Sequence, residues 1–545
     1  MTPSVRATLH DLRAGHFDLL VIGGGITGAG IAREAGLRGL KTALVEARDF
    51  GEGTSSRSSR LIHGGLRYLE QGRLRLVFEA LAERRILLRL APHLVRPLPF
   101  LFPVFRGDRL PRWKVSAGLA LYDLLAAGGN VRRHRTLGKR RVLEAEPLLR
   151  ERGLTGGGLY YDAQCDDARL TLAAVRAASG NGARVANHVR VTGLIRSVSG
   201  ITGAYVTDEL SGESGEVRAR LVVNATGPWT DTVRRMEDPR AQPLLRPTKG
   251  VHVVIPRRRV GNAHAIIFTS AVDGRVMFVL PWGDWTYVGT TDTDATESPD
   301  EVGATEADVV YLLRSVNALF PAARLGPEDV TATWAGLRPL LAEDPSVPAG
   351  RVSREHRIVS GAQGMLTIAG GKLTTWRQMA AETLDRVEKA MGSHHRGRGR
   401  ALSRSQPLPG GETAALEPFR AGGLELGLGD AVIDHLLSHF GAETPAVYAL
   451  CRERPRLATP IHPDHPAIEA EVLHAVRREL AMRVDDVRIR RLHLDTETSD
   501  GGEAAVEGIA RLMAEELGWS TEIRAAEIER SRQSALTGAR WRGLS

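Results

Sequence analysis

Gly23, Gly25 and Gly28 stand at Gly-x-Gly-x-x-Gly spacing at the end of the apolar run 17–22, and Glu46 follows 18 residues after Gly28. Glycines in that order let a backbone turn tightly and approach a pyrophosphate, whose charge rests on the N–H groups that open the next helix. An acid at the distance of Glu46 can accept hydrogen bonds from ribose hydroxyls. A second set of small polar residues, Thr54, Ser55, Ser56, Ser58 and Ser59, follows a glycine turn and runs on to His63, Gly64, Gly65, Arg67 and Tyr68. That loop suits close contact with a flat cofactor, and it also reads as a plain surface loop. Two further glycine turns, Ala225-Thr226-Gly227 and Gly370-Gly371-Lys372, end apolar runs far along the chain. Each is placed to return to the same site.

The elements that would hold these residues follow from their pattern. A strand over 17–22, a helix over 31–40 and a strand over 42–45 make a βαβ unit around the glycines. The spacing predicts an amphipathic helix over 74–89, a turn and helix over 160–178, and a buried strand over 217–224. Residues 249–291 are strand-rich and suggest a separate antiparallel sheet, and 365–391 repeats strand, glycine turn and helix. The segment 393–411 is rich in Arg, Ser and Gly and reads as a linker. Residues 412–545 show long helical patterns without a notable strand. Apolar segments at 97–105 and 115–129 bracket the basic stretch RGDRLPRWK, and VRRHRTLGKRR carries no acid. This pattern fits an interfacial membrane contact, and it equally fits a buried helix with a solvated basic edge.

At 545 residues the chain exceeds what one hydrophobic core supports, so two or three domains are expected. No stretch approaches ~18 uninterrupted apolar residues, which argues against a spanning helix, and the start lacks the apolar core of a signal peptide. Two cysteines, Cys165 and Cys451, make neither a disulfide framework nor a zinc site, and no metal is expected. A reducing, cytoplasmic setting follows. The net charge of +9 would suit nucleic acid, an anionic membrane or a phosphorylated substrate. Only six of the 73 basic residues are lysine, so an arginine-rich composition accounts for the charge as well. Two of those lysines, Lys249 and Lys372, fall in glycine-bearing segments.

In VIGGGITGAGIA, TSSRSSRLIHGGLRYLE, VNATGPW, KGVHVVIP, GTTDTD, GLRPL, GGKLTTWR and LPGG, the chain resembles the flavin-dependent, respiratory glycerol-3-phosphate dehydrogenases of the D-amino-acid oxidase-like superfamily. Order and spacing match from about residue 17 to 411, and the tail matches more loosely through EAEVLHAVRRELAMRVDDVRIRR. Arg60 stands where the family more often has lysine, and RRLHLDTET departs from the usual tail. The resemblance implies an α/β fold: a Rossmann-like FAD-binding domain over 16–392 (about 16–95, 150–240 and 350–392). An antiparallel-sheet substrate domain (about 96–149 and 241–349) is interleaved with it. A linker at 393–411 and an all-helical C-terminal domain at 412–545 complete it.

The resemblance further implies oxidation of sn-glycerol 3-phosphate to dihydroxyacetone phosphate, with electrons passed from FAD to ubiquinone or menaquinone. The FAD would lie against Gly23, Gly25, Ile26, Thr27, Gly28 and Glu46. Thr54, Ser55, Ser59, His63, Gly64, Gly65 and Leu66 would line it from the polar loop. Val189, Ala225, Thr226, Gly227, Gly371, Lys372, Leu373 and Thr374 would complete its site. Arg67, Arg338, Arg354 and Lys372 match the family's positions for holding the phosphate, with Tyr68 beside them; guanidinium and ammonium donors suit that charge. His252 matches the base that takes the hydroxyl proton, with Arg338 and Lys372 also in the catalytic set. By itself a lone strand histidine is more often a core residue, and Asp292 in GTTDTD reads as a turn residue slightly before a pocket contact. The implied partners are glycerol 3-phosphate, quinone and an anionic membrane met peripherally on its cytoplasmic side, without nucleic acid; a homodimer stays open. An oxygen-using glycerol-3-phosphate oxidase and another hydroxy- or amino-acid oxidoreductase on the same fold are the alternatives.

Overall fold

The computed structural model describes residues 6–198, 200–295, 297–342, 354–392 and 403–543, apart from the Arg67 side chain. The expected βαβ unit is present. Strand Phe17–Ile22 leads through helix Ile26–Leu37 to strand Thr42–Val45. It lies inside an eight-stranded sheet, where Phe17–Ile22 pairs in parallel with Thr42–Val45 on one side and Ser214–Asn224 on the other. Leu366–Gly370 continues the parallel set beyond Ser214–Asn224. The strands ending at the three glycine turns are therefore neighbours, and their carboxyl ends open on one crevice, where ligands of such sheets bind. Buried on both faces, these strands carry continuous apolar runs; Leu19, Leu20 and Val21 are fully buried.

Helix Ile26–Leu37 packs between helices Asp167–Gly180 and Trp376–Ala390. Gly30 permits this, since a Cβ there would lie 2.6 Å from the Trp376 ring. Gly28 is equally structural: a Cβ would lie 1.8 Å from the Gly23 carbonyl oxygen.

A second sheet of ten strands stands beside the first. Its strand Thr248–Pro256 is flanked antiparallel by Ala332–Arg338 and Trp285–Gly289. Strand Leu154–Cys165, in whose second half the sequence pattern predicts a turn, pairs with Val95–Phe105, and the short Leu61–Ile62 pairs with its end. The apolar 97–105 segment is thus an interior strand with Phe100, Leu101 and Val104 buried. It is unavailable to a lipid surface, whereas the neighbouring helix Arg112–Leu125 leaves Trp113 (68%) and Leu124 (74%) exposed. Among the described residues no helix is long and apolar enough to cross a membrane.

Residues 393–402 of the expected linker lie outside the described residues. Beyond them Leu408 is buried, and Arg33 donates to the Ser403 and Gln406 carbonyls. The C-terminal unit is helical around its own apolar core, with one exception: a hairpin of Pro460–His462 and His465–Ile468. Buried ion pairs bind this unit to the first sheet. Arg490 and Arg491 both donate to Asp49, and Arg169 pairs with Glu479 at 2.6 Å. Buried arginines need such partners, because an unpaired charge there would cost several kcal/mol.

Candidate active site

One cavity of about 420 Å³ joins the two sheets, within the size range of cofactor sites. Its first end is built by the βαβ unit. Gly23 has φ +107°, a backbone that favours glycine, and turns the chain into the helix. Gly25 caps helix Ile26–Leu37, and a Cβ there would meet only Ser55 Oγ at 3.1 Å. Glu46 Oε2 accepts from Gly24 N–H at 2.6 Å, and Oε1 accepts from Arg48 N–H at 3.0 Å. Burial raises the Glu46 carboxyl above its ordinary range, against these two donors. Val189, Ala225, Thr226 and Gly227 close the same end. Trp229 also lines it, its indole N–H donating to Asp300, which pairs with Arg48 at 2.5 Å. Sequence reasoning missed this arrangement, although Trp229 belongs to the VNATGPW motif.

The glycine-flanked space, the opening N-terminus of a 12-residue helix and an acid at the second strand's end fit a dinucleotide bearing a pyrophosphate and a ribose. Ile26, Thr27, Thr54, Ser55, Ser59 and His63 line the wall, as do Gly371, Lys372, Leu373 and Thr374. Gly28, Gly64, Gly65 and Leu66 do not line it. Gly64 N–H instead donates to the Tyr122 hydroxyl at 2.8 Å, on the side of helix Arg112–Leu125.

At the other end the second sheet brings in His252 and Arg338, Tyr68 comes from helix Leu66–Glu70 after that sheet's strand Leu61–Ile62, and Arg354 and Lys372 flank the first sheet's strands His356–Ser360 and Leu366–Gly370. Arg67 lies in helix Leu66–Glu70, and its side chain is outside the described residues. Lys372 Nζ stands 3.7 Å from the centre of the Tyr68 ring, a cation–π contact. Arg338 donates to Asp292 at 3.1 Å, Thr290 Oγ1 at 2.9 Å and the Thr291 carbonyl at 3.1 Å. Asp292 is therefore an anchor for Arg338, correcting the preference for a mere turn residue. Burial opposes the Asp292 charge, but Arg338 and Arg354 outweigh it and lower its carboxyl. Lys249, singled out by its glycine-bearing segment, faces away and pairs with Asp308 at 3.1 Å.

His252 is buried with Nε2 2.9 Å from Ser59 Oγ. Strand register explains its surroundings: it lies opposite Trp334 on one neighbour and Gly289 on the other. Trp334 stacks on the imidazole at 4.7 Å and 15°. A Cβ at Gly289 would come within 2.2 Å of His252 Cδ2, so the absent side chain makes room for the ring. Burial, then Arg338 and Arg60, push the imidazole down to about 3. It is neutral at ordinary pH and able to accept a proton.

Residues 18–377 match the FAD dependent oxidoreductase family, and 401–524 match the C-terminal domain of alpha-glycerophosphate oxidase. The aerobic glycerol-3-phosphate dehydrogenase of Staphylococcus haemolyticus is 37% identical over 518 residues, 92% of each chain. The glycerol-3-phosphate dehydrogenase 2 of Mycobacterium tuberculosis is 40% identical over 94% of this chain and 86% of its own. Among solved structures, the Bacillus halodurans glycerol-3-phosphate dehydrogenase complexed with FAD superposes with a TM-score of 0.81 at 31% identity. That superposition covers 97% of this chain and 96% of the other. The L-alpha-glycerophosphate oxidase of Mycoplasma pneumoniae, at 17% identity and a TM-score of 0.54, shares the fold over 69% of this chain and 95% of its own.

Proposed function

The chain belongs to the FAD-dependent glycerol-3-phosphate dehydrogenases, and we propose that it oxidises sn-glycerol 3-phosphate to dihydroxyacetone phosphate and delivers the electrons to a membrane quinone. The observation that carries the substrate is the convergence of His252 with Arg338, Arg354 and Lys372 at one end of the cavity. Three cations match a phosphate dianion better than a lone carboxylate, which one arginine would satisfy. When bound, FAD supplies the acceptor for the hydrogen leaving carbon. The protein's part is to hold the phosphate on Arg338, Arg354, Lys372 and Arg67, and to take the hydroxyl proton at His252. Asp292 fixes the direction of the Arg338 guanidinium. Ser59 holds the His252 ring by Nε2 until the substrate hydroxyl arrives.

The quinone reading rests on the surface of helices Leu74–Leu90 and Arg112–Leu125. Phe78, Trp113, Leu121 and Leu124 are exposed there, with Arg85, Arg89, Arg112 and Lys114 exposed around them. An apolar set within a basic rim suits peripheral contact with an anionic bilayer, where quinone is dissolved. The test mixes the yellow protein anaerobically with glycerol 3-phosphate, then with a quinone analogue in anionic vesicles or with oxygen. Bleaching by the substrate and recovery faster with quinone are expected. Peroxide formation as fast as quinone reduction would replace the proposal with the oxidase reading, and absence of bleaching would remove the substrate.

Arg338→Ala is expected to lower kcat/KM for glycerol 3-phosphate by about one to two orders of magnitude, as charge-assisted hydrogen bonds contribute about 1.5–3 kcal/mol each. The slow turnover of glycerol, which has no phosphate, should change little. Equal losses with both substrates would take Arg338 out of phosphate binding and leave it as a partner of Asp292.

A further inference from the structure

Helix Leu494–Glu497 of the C-terminal unit ends on a residue that reaches into the second sheet. Glu497 Oε1 accepts from Trp282 Nε1 at 2.8 Å and from Arg60 Nη1 at 3.4 Å, and its carbonyl accepts from Trp285 Nε1 at 3.1 Å. Arg60 is only 4% exposed and donates to the Tyr287 hydroxyl at 2.7 Å. Its guanidinium lies 4.7, 5.0 and 5.5 Å from the ring centres of Trp282, Tyr287 and Trp334, a three-sided aromatic cage. Trp334 is the ring stacked on His252, and its Nε1 donates to the Ser58 carbonyl, next to the serine that meets His252. A continuous packed path thus runs from Glu497 through Arg60 and Trp334 to the proton acceptor.

The charges along the path are few. Arg60 faces Glu497 at 3.4 Å and Asp167 at 3.9 Å, with Asp166 beyond. Asp166 is engaged by His493 at 2.8 Å, and Asp167 already accepts from Ser58 N–H and Oγ–H. Glu497 itself faces Arg60, His465 at 3.7 Å and His493, with Asp495 nearby. Burial opposes its charge, but His465, His493 and Arg60 outweigh it and hold the carboxyl down to about 2, so it is ionised. His252 faces Arg338 and Arg60.

We propose that Glu497 is a positioning residue for the proton acceptor: its carboxylate fixes and balances Arg60 inside the aromatic cage, which holds Trp334 against His252 and keeps the Arg60 charge from suppressing the imidazole's basicity. The C-terminal unit thereby completes a site built by the other two sheets. This rests on the reading of His252 as the group that takes the hydroxyl proton. Taking up that proton makes an imidazolium near Arg60, so any unbalanced charge on Arg60 is felt directly in the step.

The test compares wild type with Glu497→Gln, which keeps the shape and an acceptor for Trp282 while removing the charge. The rate of flavin reduction at saturating glycerol 3-phosphate is followed by stopped flow across pH. A fall of about three- to tenfold at neutral pH is expected, with the acid limb moving down by up to about one pH unit, because the base is weaker. The dissociation constant for the product dihydroxyacetone phosphate, measured by titrating the flavin spectrum with it, should stay within about twofold, since the phosphate cations are untouched. A merely structural role would lower the rate without moving the limb. Glu497→Asp, which withdraws the carboxylate by one methylene, should give a smaller shift in the same direction. An unmoved limb in whichever variant keeps FAD overturns the proposal. So does loss of FAD from both variants, which would make Glu497 a residue of the fold alone. Failure of wild type itself to be reduced by glycerol 3-phosphate would instead overturn the underlying substrate reading.

Discussion

His252→Ala is expected to slow reduction of the flavin by glycerol 3-phosphate about 10²–10⁴-fold, the range of a general base, while reoxidation by a quinone analogue stays nearly unchanged. The two half-reactions separate because only the first breaks the substrate O–H bond. Stopped-flow measurement of both decides the matter, and fast reduction in the variant would move the base elsewhere. The pH dependence carries a sign. With the imidazole pushed down to about 3 by burial, Arg338 and Arg60, the ring is neutral in the free enzyme across the neutral pH range. The kcat/KM profile should therefore show no His252 limb between about pH 5 and 8, because kcat/KM reports the free enzyme. A bound phosphate dianion offsets the charge of Arg338, so the limb in the reduction rate at saturation should lie above 3. The same burial sets a stability term. The unfolded chain takes up this proton near 6.5, whereas the folded chain does so only near 3. The contribution is present above 6.5 and is lost as pH falls through that interval.

The glycine-and-acid part of the cavity's first end was legible because what it needs is local, unlike the Trp229–Asp300–Arg48 wall of the same end. Gly23, Gly25 and Gly28 are read from spacing, and Glu46 follows at the end of the next strand, so a stretch of 30 residues from 17 to 46 holds the whole βαβ unit. Lys372 and the turn at Thr226 were also found, since each ends an apolar strand of the same sheet. The substrate end was legible only by resemblance. His252 looks like any strand histidine until register sets it opposite Trp334, 82 residues further on. Asp292 looked like a turn residue because its partner, Arg338, lies 46 residues away. Arg60 and Glu497 are separated by 437 residues, and no periodicity connects them. Local pattern also misplaced residues whose surroundings come from other elements. The 97–105 segment is apolar and flanked by cations, a pattern that fits a membrane contact as well as a buried helix and does not point to a strand. The sheet instead surrounds it on both sides with Ala265–Thr269 and Leu154–Cys165.

Gly25→Val is expected to yield folded, colourless protein that retains less than about a tenth of its flavin, because the pyrophosphate can no longer approach the helix N-terminus. The argument depends on where a Cβ would point. At Gly25 it meets Ser55 Oγ at 3.1 Å and otherwise projects into the cavity wall. The backbone there, φ −72° and ψ 177°, is open to any residue, so the substitution introduces no backbone strain. The cost falls on the cofactor and not on the chain. Circular dichroism should be unchanged while the visible absorption and activity disappear together. Gly28 and Gly23 provide the contrast. A Cβ at Gly28 would lie 1.8 Å from the Gly23 carbonyl oxygen, and one at Gly23 would lie 2.7 Å from the Ala225 carbonyl oxygen on a backbone at φ +107°. Substitution at either position should therefore reduce soluble folded protein as well as colour. A Gly25→Val protein that kept full yellow colour and activity would mean that the pyrophosphate does not pass over this glycine. The cofactor would then have to enter the cavity in another orientation, with Glu46 released from the ribose.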